Sequence, residues 1–583
     1  MIVETFNKIK FIKNNIFENK KKNFLFSVFF LSILASLVEI IGLGLIFPTV
    51  GLIISEDFIN KYTEFDFLIL IINNISKEKL IVYFFLLIIF VYVFKFIILL
   101  FNKYIHSKLI FHLNNKISLK LFDSYLKSNY EYIINKSHSE LIRNIIDQSI
   151  SFSMGFVVSI LNISIEVFVL FFLTFFLLFF QFKITICIML SLIIFSFIYL
   201  SLFKKKISQL GLARIDSERQ RFKYILDGLN GIKEIILFDK SNFFSDHLKS
   251  KNKDLAKIGI KQSVHQSLPP LFFEFVTILI FSILVLILIF LKYTSEEILL
   301  ILTLYGLAVL RLLPGFARIV ANYQNMLYHY PSVENVFKAL SEIAKIEKKF
   351  QNTELKNISF NSDIKFENVS FIYKNKNQIF INLDFNVNKN SKVGIVGRSG
   401  SGKTTLIGLI TGLLSPSQGD IFVDGVKLEK KNIDSWKKKI GYASQDTFLL
   451  EDSFVKNIAF GISDDRVDFK KVEYSAKIAR IHDFIISSAN GYETACGERG
   501  SRLSSGQKQR IGIARAIYID PDIFIFDEFT NALDQITETE ILNDIYNNLK
   551  EKTIIYISHK KELINKYCDE IYNVENNFVS KIK

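Results

Sequence analysis

Gly397-Arg398-Ser399-Gly400-Ser401-Gly402-Lys403-Thr404 stands between an apolar run, Lys392–Val396, and a helical pattern, Thr405–Leu413. Strand, glycine-rich turn and helix start are, in that order, the parts of a phosphate-binding loop. Glycines let successive backbone N–H groups wrap an anion at a helix N-terminus. Lys403 is placed to reach the β- and γ-phosphates of a nucleotide, and the Thr404 hydroxyl to ligand Mg²⁺. Further along, Ile523-Phe524-Ile525-Phe526 runs into Asp527-Glu528, with Asp527 124 residues after Lys403. A buried strand ending in two acids delivers one carboxylate to the metal and a second to the attacking water, which is most of what phosphoryl transfer requires.

Outward from these motifs the composition changes. From Asp363 onward, short β-rich runs alternate with helical patterns, as in an α/β domain. Residues 331–362 are polar and rich in Lys and Glu, and read as a linker. The first 330 residues are different. Half of the 583-residue chain is hydrophobic and Phe alone supplies 59 positions, more apolar surface than a soluble fold hides. Stretches of roughly 20 apolar residues suffice to cross a bilayer. They are placed at Phe24–Val50, Leu80–Phe101, Met154–Phe180, Phe182–Phe203, Leu268–Leu291 and Ile298–Asn322, the third and fourth joined by a tight turn at Gln181.

Charge orients them. The net charge of +14 carries no aromatic-basic pattern of nucleic-acid binding, and no nucleic-acid partner is expected. Basic residues instead flank the spans: Lys8, Lys10, Lys13, Lys20, Lys21 and Lys22 before the first, Lys103 to Arg143 after the second, Lys204-Lys205-Lys206 after the fourth. The excess of Lys and Arg on the cytoplasmic side puts the N-terminus inside, and six spans return the chain to the cytoplasm. The long inner loops have few turn signals and read as helices extending the spans. Cys187, Cys496 and Cys568 match no metal or disulfide spacing. Phe58, Tyr62, Phe65, Ile69 and Ile72, between the first two spans, recur at helical spacing and read either as a helix lying in the outer leaflet or as one packed on the spans.

Leu503-Ser504-Ser505-Gly506-Gln507, followed by Lys508-Gln509-Arg510-Ile511-Gly512-Ile513-Ala514-Arg515-Ala516, resembles the signature sequence of ABC proteins, usually LSGGQ. The resemblance implies a six-helix membrane domain at 1–330, all-α, followed by an α/β P-loop ATPase domain at 363–583. It implies that ATP and Mg²⁺ are bound. Gly397, Arg398, Ser399, Gly400, Ser401, Gly402, Lys403, Thr404 and Thr405 would then hold ATP from one subunit, and Ser504, Ser505, Gly506 and Gln507 from the other. Gln445 resembles the Gln that senses γ-phosphate and metal, His559 the switch histidine, and Tyr373 the aromatic that stacks on adenine. Thr404, Gln445 and Asp527 are the metal set, and Glu528, His559 and Gln445 the catalytic set. Asp534 resembles the aspartate of the loop that communicates between subunits, where Asn531 replaces the usual Ser and Phe529 the usual Ala. Gly497-Glu498-Arg499-Gly500 resembles the exporter-type segment before the signature. One phosphate loop and one signature per chain imply a homodimer with two complete sites.

In the membrane half, Val38-Glu39-Ile40-Ile41-Gly42-Leu43-Gly44-Leu45-Ile46-Phe47-Pro48, Asn129-Tyr130-Glu131-Tyr132 and Leu310-Arg311-Leu312-Leu313-Pro314 with Arg318 resemble bacterial flippases of lipid-linked oligosaccharides. That implies ATP-driven transfer of a polyprenyl-diphosphate glycan across the bacterial inner membrane, with lipid and glycolipid as partners. Motion would pass through helix ends near Asn129–Ile133 and Gly228–Ile232. Arg311 and Arg318 are seven residues apart, hence on one helix face, and arginine suits phosphate oxygens; Lys95 is a third basic candidate. Glu39, Glu166 and Glu274 are intramembrane acids that can pair with these bases and hold helices together. An exporter of drugs, lipids or peptides, and an ATP-gated channel or sensor, are the alternative functions.

Overall fold

The structure, a computed structural model, describes residues 22–54, 77–180, 182–348, 357–373, 378–531, 533–575 and 577–583. The chain divides into two compact units at Lys345, with the short segment Asn129–Ile134 grouped with the second.

The first unit is helical. Its long helices are α1 (Lys22–Ile54), α2 (Lys77–Leu126), α3 (Val158–Phe180), α4 (Phe182–Asn230), α5 (Ser241–Phe290) and α6 (Ser295–Lys348). All six expected apolar stretches lie along this helical path, the third beginning in a π-helical run, Ser151–Val157, that leads into α3. Among the described residues, four helices are long and apolar enough to cross a membrane: Glu78–Leu126, His138–Phe179, Phe182–Asn230 and Ser241–Phe290. The other two stretches belong to α1 and α6, outside those four. α2 has 50 residues, which at 1.5 Å per residue is about 75 Å, against a hydrocarbon core of about 30 Å. More than half of it therefore stands outside lipid, and that half carries Lys103, Lys108, Lys116 and Lys120. The basic segment after the second expected span is thus a helical extension of that span. Side chains such as Phe90, 68% exposed, cover the apolar half of α2; such a surface is stable where lipid covers it.

Two expectations meet a different structure or none. Residues 331–348, read as the start of a linker, continue α6 straight through Pro331. Their face is apolar at Val333, Val336 and Leu340, all buried, so helix packing outweighs the polar composition. The run Phe58 to Ile72 and Gln181, where a turn is expected, lie outside the described residues; between the two helices that flank Gln181, Thr185 Oγ1 donates to the Leu177 carbonyl at 3.1 Å.

The second unit is built on two sheets. An antiparallel sheet has the order β2-β1-β4-β5, with β1 Asp363–Ile372, β2 Gln378–Asn388, β4 Gln418–Val423 and β5 Val426–Lys427. A six-stranded sheet has the order β10-β9-β3-β8-β7-β6, with β3 Lys392–Val396, β6 Ile440–Ala443, β7 Ile523–Asp527, β8 Thr553–Ile557, β9 Glu570–Glu575 and β10 Phe578–Lys581. β9, β3, β8, β7 and β6 pair in parallel. These strands are almost wholly apolar because helices cover both faces of a parallel sheet. Helix α7 (Lys403–Ile410) follows β3, α8 (Ser505–Tyr518) precedes β7, and α9 (Gln535–Asn548) lies between β7 and β8.

Trp436, the one tryptophan of the chain, is 0% exposed. Its Nε1–H donates to the Ile410 carbonyl at the end of α7 at 2.8 Å, and Phe360 meets it edge-on at 5.9 Å between centroids. Its fluorescence therefore reports the second unit alone. In denaturant the emission should move from a buried to a solvated maximum in one transition. Trp436→Phe removes the donor to Ile410 and should destabilise that unit by about 2–3 kcal/mol, measured by the shift of its melting temperature. Burial raises the thiol of Cys496 to about 11 and that of Cys568 to about 12. Because a raised thiol pKa depletes the reactive thiolate, neither should be alkylated by maleimide at pH 7 in the folded chain, and both should react once it is unfolded.

Candidate functional site

The phosphate loop leaves β3 at Gly397. Gly402, with φ 110°, caps α7 in the left-handed region, a backbone that side chains rarely adopt. A Cβ there would also come within 3.0 Å of Ile379 and Phe380. Lys403 opens the helix with its ammonium turned back into the loop, donating to the carbonyls of Gly397 at 2.9 Å and Arg398 at 3.1 Å. Thr404 is exposed beside it, whereas Thr405 is buried and meets the Tyr373 hydroxyl at 3.3 Å. Tyr373 is itself braced edge-on by Phe371, so an aromatic ring stands next to the loop. Ser401 Oγ is buried with no hydrogen-bond partner among the described residues, a donor suited to a phosphate oxygen.

β7 brings the acids to the same place. Glu528 follows the strand with φ 47°, and its N–H donates to the carbonyl of Ile557 at 3.0 Å. That twist turns its carboxylate toward the loop. Oε1 lies 2.8 Å from His559 Nε2 and 3.7 Å from Lys403 Nζ, and Oε2 accepts from Asn531 Nδ2 at 2.9 Å. Asp527 accepts instead from the Tyr442 hydroxyl, at 3.1 Å on Oδ2. Burial holds the Asp527 carboxyl above the usual range, opposed by the Tyr442 hydrogen bond. Burial and the adjacent carboxylate likewise push the Tyr442 phenol up. Lys403, Asp527, Glu528 and His559 thus share one corner. Tyr442 was not singled out in the sequence; it is the one exposed residue of β6, three positions before Gln445.

The signature lies elsewhere in the chain's own surface. Ser504 caps α8: its hydroxyl accepts from the Gln507 N–H at 3.2 Å, and the Gln507 side chain accepts from the Ser504 N–H at 2.8 Å. This reciprocal box fixes the helix start. A cavity of about 570 Å³ gathers Gln445, Arg499, Ser505, Lys508, Gln509 and Asn531 along its wall and includes no residue of the phosphate loop. Gln445 accepts at its backbone carbonyl from Gln509 Nε2 at 3.3 Å. Among the described residues no hydrogen bond joins it to Thr404 or Asp527. Asp534 serves as an N-cap, accepting from Thr537 N–H at 2.9 Å to open α9.

In the membrane unit the basic residues are engaged. Arg318 of α6 grips Glu166 of α3 through two parallel bonds, Nε to Oε1 at 2.7 Å and a terminal nitrogen to Oε2 at 3.1 Å. The side chains are 40% and 12% exposed. The same two helices continue the seam: Asn162 donates to Asn322 at 3.2 Å and Asn325 to Ser159 at 2.9 Å. Arg311 lies on α6 seven residues before Arg318, half-buried. Lys95 is on α2 with its ammonium 5.1 Å from the centre of the Tyr92 ring. Glu274 is exposed on α5, and the side chain of Glu39 lies outside the described residues.

Comparison with known proteins follows this division. The ABC transporter transmembrane region matches residues 19–311, and the ABC transporter family matches residues 380–531. A probable ABC transporter ATP-binding/permease protein of Haemophilus influenzae is 31% identical over 376 residues, 63% of this chain and 67% of that one. The alpha-hemolysin translocation ATP-binding protein HlyB of Proteus vulgaris is 40% identical over 216 residues, 37% of this chain and 30% of that one. The match thus spans less than a third of the hemolysin translocator. The structure of a bacterial Atm1-family ABC exporter with ATP bound shares the fold, with a TM-score of 0.77 at 20% identity, covering 97% of this chain and 95% of that one. With a transmembrane region and an ATP-hydrolysing domain in one polypeptide, the chain belongs to the ABC transporters, as a half-transporter of the exporter type.

Proposed function

We propose that two copies of this chain form an ATP-driven exporter in a bacterial inner membrane, with the N-terminus and both ATPase domains in the cytoplasm. The observation that carries this reading is the separation, within one chain, of the phosphate loop from the cavity holding Ser505. A site with both parts then takes them from two copies. On ATP entry, Lys403 exchanges the carbonyls of Gly397 and Arg398 for phosphate oxygens, and His559 leaves Glu528 for the γ-phosphate. Glu528 is then free to take a proton from the attacking water. The buried Asp527 carboxylate and the Thr404 hydroxyl suit Mg²⁺, which keeps most of its shell as water and phosphate oxygen; when bound, it offsets charge on the transferring phosphate. Tyr442 orients Asp527 for that role. Tyr373 gives adenine a ring to stack on.

The substrate reading is a lipid-linked oligosaccharide, supported by the membrane-half motifs and by Arg311, Arg318 and Lys95 near the spans. Arg318 serves a diphosphate only by exchanging Glu166 for it. The bidentate Arg318–Glu166 pair also favours a second reading, in which Arg318 is structural and the exporter carries another kind of cargo.

Two measurements separate these. In liposomes holding the purified protein, a lipid-linked oligosaccharide should cross leaflets only with ATP, and not with Glu528→Gln, which should keep ATP binding while losing hydrolysis by two or more orders of magnitude. ATP hydrolysis without glycolipid movement would leave the exporter and remove this substrate. For the ion pair, Glu166→Gln leaves Arg318 uncompensated. It should lower stability by about 1–2 kcal/mol, a value discounted for the exposure of Arg318, and the double variant with Arg318→Gln should recover most of it. If transport fails in the double variant while stability is regained, Arg318 acts on substrate; transport intact in both makes it a helix clamp.

A further inference from the structure

Among the described residues the Glu528 carboxylate has three polar side-chain neighbours of two kinds. Oε1 faces His559 at 2.8 Å and Lys403 at 3.7 Å. Oε2 accepts from the Asn531 amide at 2.9 Å. The backbone explains how a residue three positions on can reach back. Glu528 has φ 47°, and the Asn531 N–H closes the turn on the Glu528 carbonyl at 3.2 Å. The Asn531 side chain therefore folds over the carboxylate within a single turn, anchored at its start by the bond from Glu528 N–H to Ile557 at 3.0 Å.

The two kinds of neighbour respond differently to a nucleotide. Lys403, and His559 when protonated, are cationic and move to phosphate oxygens when these arrive. Asn531 is neutral and bound within the same turn, so an arriving phosphate has no charge on it to draw away. Its amide can therefore remain on Glu528 when the cations leave. A carboxylate with one oxygen held presents the other.

We propose that Asn531 is a positioning residue for ATP hydrolysis: its amide holds Glu528 Oε2 so that Oε1 is the oxygen that accepts the proton from water. The inference rests on the ATPase reading above. In the step concerned, an O–H bond of water breaks and its proton passes to Oε1. The water oxygen bonds to the γ-phosphorus, and the bond from γ-phosphorus to the β–γ bridging oxygen breaks, its electron pair leaving on ADP. Asn531 touches none of the reacting atoms; it acts through Glu528.

The replacements Asn531→Ala, Asn531→Asp and Asn531→Ser test this in the full-length protein, with steady-state hydrolysis of Mg²⁺-ATP and equilibrium binding of a fluorescent ATP analogue measured side by side. Asn531 is exposed, so the variants should fold and bind the analogue as the parent does. Asn531→Ala removes the donor alone, whereas Asn531→Asp keeps the shape but sets a second carboxyl beside Glu528. Asn531→Ala should lower kcat roughly ten- to hundredfold, the range expected for one hydrogen bond to a charged group, with KM for ATP within about twofold, and Asn531→Asp should lower it at least as far at a pH where both carboxyls are ionised. Asn531→Ser keeps a donor and should recover part of the rate lost by Asn531→Ala. An unchanged kcat in Asn531→Ala, or a loss confined to KM or analogue binding, would overturn the proposal. Failure of the unsubstituted protein to hydrolyse ATP would overturn the ATPase reading and this inference together, and is distinguished by that control.

Discussion

The register of three parallel strands places the chemistry. Ile395 of β3 pairs with Ile557 of β8, and Ile557 is level with Asp527 of β7. The three strands therefore end at one height, and whatever follows each emerges at the same edge. After β3 comes the phosphate loop, after β7 comes Glu528, and after β8 comes His559. Parallel sheets gather their functional residues outside the carboxyl ends of the strands for this reason. A slip of one residue in β7 would move Asp527 off this edge and turn its side chain to the other face. The apolar filling of the sheet, with Ile395, Ile525, Phe526 and Ile555 buried, resists that slip, because every side chain in the strand would have to change sides.

That register makes the catalytic corner compact enough for Lys403, Glu528 and His559 to satisfy one another. Charges so poorly hydrated are stable only when paired or hydrogen-bonded. The bonds of Lys403 to two loop carbonyls and of Glu528 to His559 and Asn531 meet that demand. Each of the bonds from Lys403 and His559 goes to a group that a phosphate can replace. The nucleotide therefore enters by exchange of like interactions, which costs less than desolvating bare charges. Asp527 stands apart from this exchange, since its partner is the neutral phenol of Tyr442.

The ATPase corner was legible in the sequence because its residues sit in short motifs whose spacing reports strand ends and helix starts. Gly397–Thr404 and Asp527-Glu528 needed no long-range information beyond the order of elements, whereas His559 was placed by its resemblance to the switch histidine of ABC proteins. The hydrogen bonds of Tyr442 and Asn531 were not legible. One crosses strands that are 85 residues apart, and the other depends on a left-handed backbone at Glu528 that no residue type announces. The continuation of α6 past Pro331 was hidden by polar composition, although Val333, Val336 and Leu340 kept helical spacing beneath it. In the membrane half the hydrophobic runs located the helices, but the partner of Arg318 lay 152 residues away on α3. Sequence offered Glu39, Glu166 and Glu274 as acids of equal standing; among the described side chains, packing pairs Glu166 with Arg318 and leaves Glu274 exposed.

That selection has a physical consequence for transport. Ser159, Asn162 and Glu166 recur at helical spacing on α3 and meet Asn325, Asn322 and Arg318 in reverse order on α6. The two helices are thus antiparallel and joined by a polar seam about two turns long. In hydrocarbon such groups have few alternative partners. Separating the helices therefore requires water or substrate to enter the seam and take over its bonds. At its end, a Cβ on Gly315 would lie 2.8 Å from Leu170 and 3.6 Å from Glu166 Oε2, so the helices pack closely where the carboxylate sits. The Arg318–Glu166 bond is consequently the part of the seam that a strongly anionic group can open most readily, because it can match the carboxylate's charge. A neutral cargo offers Arg318 hydrogen-bond acceptors but no charge to replace that of the carboxylate, and a cationic one would repel it, so for either the pair is harder to part.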